Sequence, residues 1–163
     1  MTTKLIKVFL DSSVIIAGLA SPRGGSREIL NLVELKILRG VISETVVREV
    51  SRNIEKKLPQ CLPQYYQLFR SLPFLMAEPT EPCLFRAREL INQADSLILA
   101  AALEAQVEWL ISLDKHFLNL AADRLPFKVA TPRDFLFALD LRPDAKLAGG
   151  GKRVKKEPPP ASP

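Results

Sequence analysis

Short apolar segments alternate along this chain with longer segments of helical periodicity, and that alternation leaves few folds open. Residues 5–10 are aliphatic and aromatic apart from Lys7 and run straight into Asp11. Such a run reads as a short buried strand. Residues 41–42, 74–76, 108–113 and 127–130 read as further strands, the fourth running into Asp114. Helical patterns fill the gaps at 14–20, 26–39, 44–57, 64–72, a segment ending near 92, 96–105, 116–122 and 133–139. Ser26 and Ser43 are placed to cap two of these helices, and Gly40 to end the first of the two. Asp95 opens the Ala- and Leu-rich helix. Thr131 followed by Pro132 is the start signal of the last one. Strands joined through helices must run parallel, so the expected fold is α/β: a doubly wound, mostly parallel sheet of four to five strands flanked by helices.

The chain has 163 residues, 47% of them hydrophobic, which suits one compact domain. We place that domain at 1–144. Residues 145–163 are Gly-rich, then basic, then Pro-rich, and are expected to be a disordered tail. The tail carries most of the net charge of +5. Lys146, Lys152, Arg153, Lys155 and Lys156 against Glu157 leave residues 1–145 at +1. A basic pI therefore says little about the body. No apolar run reaches the roughly 18 residues of a membrane span, so no membrane partner and a cytoplasmic location are expected. Cys61 and Cys83 belong to no CxxC pair and read as free, buried thiols. Trp109 reads as core.

In an open parallel sheet, ligands bind outside the carboxyl ends of the strands. Four acids can reach that edge. Asp11 and Asp114 follow strands, Asp95 starts a helix, and Glu49 lies roughly 7–8 Å along its helix, close enough to lean back. Carboxylates gathered in one place repel one another, and a divalent cation resolves the conflict. Oxygen-only donors suit Mg²⁺ or Mn²⁺. Each acid also has a plainer reading: cap for Asp95, turn residue for Asp114, solvated helix residue for Glu49. As a lone histidine at a helix start, His116 reads as structural or solvated.

The segments Val8-Phe9-Leu10-Asp11-Ser12-Ser13, Ser43-Glu44-Thr45-Val46-Val47-Arg48-Glu49-Val50, Ala94-Asp95-Ser96-Leu97-Ile98-Leu99 and Leu110-Ile111-Ser112-Leu113-Asp114-Lys115-His116-Phe117, with the closing Val129-Ala130-Thr131-Pro132-Arg133-Asp134-Phe135, together resemble the PIN-domain ribonuclease family. The resemblance spans about residues 4–140. It implies a Mg²⁺- or Mn²⁺-dependent endoribonuclease with Asp11, Glu49, Asp95, Asp114 and Ser112 as catalytic residues and Asp11, Asp95 and Asp114 holding metal directly or through water. The position two after Asp11, often Asn in the family, is Ser13 here, a departure in the shell that positions water. Many relatives are toxins of VapBC toxin–antitoxin pairs, which implies an RNA substrate, an antitoxin protein as partner and a homodimer, formed through the region 64–72. A processing nuclease outside toxin–antitoxin systems and an inactive PIN-fold binding module stay open beside this reading. A receiver domain would want paired acids near Asp11 and a lysine ending the last strand, where Lys128 begins it. A phosphatase would want an acid where Ser13 stands.

Overall fold

The structure is a computed structural model that describes residues 4–140. The expected tail at 145–163 and the last residues of the expected domain, 141–144, lie outside the described residues. Five strands form one sheet: β1 (Ile6–Leu10), β2 (Leu38–Ile42), β3 (Leu75–Met76), β4 (Trp109–Ile111) and β5 (Lys128–Ala130). Their order is β3-β2-β1-β4-β5, and every neighbouring pair is parallel. The chain steps outward from β1 to β3, then returns to the other side of β1 for β4 and β5. The order therefore reverses at β1, and the β1–β4 boundary is the switch point where open α/β sheets form a crevice. The register there sets Leu10 beside Ile111, and the Asp11 N–H donates to the Ile111 carbonyl at 3.0 Å. One more step along each strand thus places Asp11 and Ser112 side by side.

Among the described residues, eight helices cover the sheet: α1 (Ser12–Ala20), α2 (Gly25–Glu34), α3 (Glu44–Lys57), α4 (Leu62–Ser71), α5 (Glu81–Leu90), α6 (Gln93–Ala105), α7 (Lys115–Leu118) and α8 (Pro132–Ala138). Val8, Phe9 and Leu10 are all fully buried, as a central strand covered on both faces requires. The middle of α6 packs Ile98, Leu99, Ala100, Ala101 and Ala102 into the same core. Small side chains there let the helix lie close to its neighbours. Ser43 and Thr131 cap α3 and α8 through their hydroxyls, as expected. Cys61 is buried and Cys83 half-buried, and both are free thiols. Trp109 is half-buried rather than core. It meets Phe135 edge-on with 5.2 Å between ring centroids, and the Lys128 ammonium lies over its ring. In the 62–72 region Tyr65, Leu68 and Leu72 point inward, and Tyr66 is exposed.

The helix expected at 26–39 ends five residues early, at Glu34. The Lys36 N–H donates to the Val33 carbonyl and the Ile37 N–H to the Leu32 carbonyl, a Schellman closure. Its left-handed position is Lys36, at φ 58°, where a glycine is usual. The glycine that seemed to end the helix, Gly40, lies inside β2 instead. A β-carbon there would stand 3.0 Å from the Phe74 ring and from Val33 Cγ1, so close packing explains this glycine. The left-handed conformation costs a side-chain-bearing residue about 1–2 kcal/mol. Lys36→Gly is accordingly expected to stabilise the fold by about 0.5–1 kcal/mol, after the larger entropy loss of glycine. Urea denaturation of the two proteins measures this; an unchanged or lower midpoint would contradict the strain assigned to Lys36.

Candidate metal centre

Asp11 occupies the N-cap position of α1 in extended conformation, yet its carboxylate makes no capping hydrogen bond. It turns instead toward hydroxyl groups. Oδ2 accepts from Ser112 Oγ at 2.7 Å and from Ser13 Oγ at 2.9 Å. The side chain is almost wholly enclosed, with the residue 3% exposed. Burial pushes the Asp11 carboxyl above its ordinary value; the Ser112 and Ser13 hydroxyls and the Ser12 backbone pull against that shift, and the Asp114 charge adds to it. Removing an ionised carboxylate from water is costly unless it is well solvated by the protein, and three donors only partly replace the lost water here.

Glu49 reaches the same place from α3. Its Oε2 accepts from Ser12 Oγ at 2.7 Å. Burial again raises its carboxyl first, the Ser12 hydroxyl lowers it, Asp11 and Asp95 raise it, and Arg52 lowers it. The electrostatics thus join all four acids: Asp11 feels Asp114, and Glu49 feels Asp11 and Asp95. Ser112 is fully buried and links two of them, because its Oγ also accepts the Asp114 N–H at 2.9 Å. Ser13 does the same for the next turn of chain, accepting the Leu113 N–H at 3.0 Å.

Asp95 lies two residues inside α6, not at its cap. Asn92 is the cap: its Oδ1 accepts the Asp95 N–H at 3.0 Å, and its Nδ2 donates to Asp95 Oδ2 at 2.7 Å. The pair is a side-chain version of the reciprocal capping box. It holds the Asp95 carboxylate at the helix start. Asp114 caps α7, its Oδ1 accepting the His116 N–H at 2.9 Å. The imidazole of His116 then meets Asp95, with Nδ1 at 3.0 Å from Oδ2. One donor atom each from Asp95, Asp114 and His116 lie within 4.8 Å of one another. Asp11 does not join that trio and is tied to it through Ser112. Among the described residues, no lysine or arginine forms an ion pair with any of the four acids.

The sequence-expected residues Asp11, Glu49, Asp95, Ser112 and Asp114 therefore come together at one end of the sheet. Asn92 and His116 were not among them. The signal for Asn92 was the Asn-x-x-Asp spacing at a helix start. The signal for His116 was its place two residues after Asp114, where the cap geometry fixes the two relative to each other. A separate groove between α1, α2 and α4, lined by Leu19, Arg27, Leu30, Gln64, Leu68 and Leu72 among others, holds none of these residues.

Residues 7–116 match the sequence model of the PIN domain. That stretch includes every residue of the site. The chain belongs to the PIN domain family. Its fold is shared with two solved structures of low sequence identity. One is VapBC2 from Rickettsia felis bound to a DNA fragment from its promoter, at 18% identity and a TM-score of 0.56, covering 76% of this chain and 97% of that one. The other is PAE2754 from Pyrobaculum aerophilum, at 14% identity and a TM-score of 0.60, covering 84% of this chain and 91% of that one. No curated protein matches this PIN chain. No helix among its described residues is long and apolar enough to cross a membrane.

Proposed function

We propose that this PIN protein is a divalent-metal-dependent endoribonuclease acting as the toxin of a toxin–antitoxin pair. One observation carries the catalytic part: four carboxylates share a sheet edge, and no lysine or arginine among the described residues is ion-paired to them. Two of them, Asp11 and Glu49, are raised chiefly by burial and further by their acidic neighbours. Such a cluster calls for a cation. The donor set fits Mg²⁺ or Mn²⁺, because oxygen donors predominate and one donor atom each from Asp95, Asp114 and His116 lie within 4.8 Å of one another. Either ion, when bound, lowers the pKa of water and offsets charge on a scissile phosphate.

In this reading Asp95 and Asp114 hold the ion directly. Asp11, enclosed beside the Ser13 and Ser112 hydroxyls, would hold it indirectly. Glu49 orients the attacking water with the carboxylate oxygen that Ser12 leaves free. Ser112 fixes Asp11 and the start of α7 relative to each other, and Asn92 keeps Asp95 in place. The shared fold with VapBC2 supports the toxin role and an antitoxin as partner; a homodimer and a cytoplasmic site of action are part of the same proposal.

Incubation with a mixed RNA pool tests the activity. Cleavage is expected with Mn²⁺ or Mg²⁺ and none with EDTA. Undiminished cleavage in EDTA would sink the metal mechanism, and no cleavage with either ion would favour a binding module. Growth arrest on expression, relieved by variants of the acids, separates a toxin from a processing nuclease.

A further inference from the structure

We propose that His116 is a third direct ligand of the same ion, and that its nitrogen tunes this site away from Mg²⁺ toward Mn²⁺ and, more strongly, Co²⁺. The inference rests on the metal-site reading above and goes past it, since carboxylates alone would give a hard, oxygen-only site. Ligands about 2.1 Å from a shared octahedral ion stand roughly 3.0 Å apart when adjacent and about 4.2 Å apart when opposite. His116 Nδ1 is 3.0 Å from Asp95 Oδ2 and 3.7 Å from Asp114 Oδ1. The first matches adjacent ligands, and the second lies between the two values, within a side-chain adjustment of the adjacent one.

The local chain fixes this geometry. Asp114 caps α7 by accepting the backbone N–H of His116 itself, so ligand and ligand share one turn. Asn92 donates to the same Asp95 oxygen that faces His116. The imidazole side chain is 64% exposed, so its other nitrogen can keep a proton and be satisfied by water while Nδ1 offers its lone pair. A histidine that served only to bridge Asp95 would need nothing more than a hydrogen bond, which glutamine can also make. Imidazole nitrogen, unlike carboxylate oxygen, is a donor that Co²⁺ and Mn²⁺ accept far better than Mg²⁺.

The test uses the full chain, stripped with EDTA and reloaded with one metal. Pulsed EPR on the Mn²⁺ form is expected to show the ¹⁴N coupling of a directly bound imidazole, and His116→Gln to lose it. Calorimetry is expected to show Co²⁺ affinity falling at least about tenfold in His116→Gln while Mg²⁺ affinity moves less than about threefold. Mn²⁺ bound with no imidazole coupling and an unchanged Co²⁺ to Mg²⁺ ratio would overturn the inference and leave the carboxylate site standing. Failure of the wild-type chain to bind Mn²⁺, or binding untouched by Asp95→Asn with Asp114→Asn, would overturn both.

Discussion

Asp95→Asn is expected to lower metal-dependent RNA cleavage by at least about a hundredfold while leaving the fold intact. Removal of one charged group from a site that stabilises developing phosphate charge costs on the order of 10²–10³ in rate. The fold should survive because the change is isosteric and the backbone capping bond is untouched: the Asp95 N–H still donates to Asn92 Oδ1. The carboxamide presents one neutral oxygen where the carboxylate offered two charged ones. Metal affinity should therefore fall with activity, and the rate should recover in part at high Mn²⁺. Single-turnover cleavage across a Mn²⁺ titration reads both effects. Cleavage at the wild-type rate would remove Asp95 from the machinery.

Asp11→Asn is expected to abolish cleavage and, without metal, to make the protein more stable. The direction follows from the raised carboxyl. Folding disfavours the ionised form of Asp11, so the folded chain binds its proton more tightly than the unfolded chain does. Between the ordinary value of 3.8 and the raised one, stability must fall as pH rises. Above that window the full penalty persists, including at neutral pH, and below 3.8 it vanishes. Glu49 contributes in the same direction from its own ordinary value of 4.5. Asparagine removes the Asp11 penalty, still accepts from Ser112, and can donate to a serine oxygen. Single stabilising substitutions commonly gain about 0.5–2 kcal/mol, and a gain of that order is expected here, with roughly 2–4 °C in melting temperature per kcal/mol for a chain of this size. Melting curves in EDTA taken upward from pH 3.8 to neutral test it: wild type should lose stability as pH rises above 3.8, and Asp11→Asn should lose less. Saturating Mn²⁺ should raise the wild-type melting temperature more than that of the variant. Lower stability of Asp11→Asn at pH 7 in EDTA would contradict the burial penalty.

Much of this protein was legible in its sequence, and the reasons are local. Apolar runs of strand length between helical segments dictated an α/β parallel sheet, and the five strands all run parallel. Acids at the ends of β1 and β4 had to lie at one edge once the strands were parallel. Ser43 and Thr131 capped as their types suggest, because a cap depends on three or four consecutive residues. Two local signals are unusual. Lys36 took the left-handed position that glycine normally fills, so α2 appeared to continue to Gly40. Asn92 stood where a cap was expected from Asp95, because either residue type can fill that role.

Tertiary structure alone decided the rest. Nothing in the sequence says that β4 returns to the side of β1 opposite β2, yet that return sets Ser112 against Asp11. The same return sets His116 within 3.0 Å of Asp95, twenty-one residues away in the chain. Propensity and periodicity act over a few residues, so the chain could specify its strands, helices and acid-tipped ends. Distances between side chains on different elements depend on strand order and helix packing, which act across the whole domain. A histidine indistinguishable from a solvated one in sequence became a candidate ligand only through that packing.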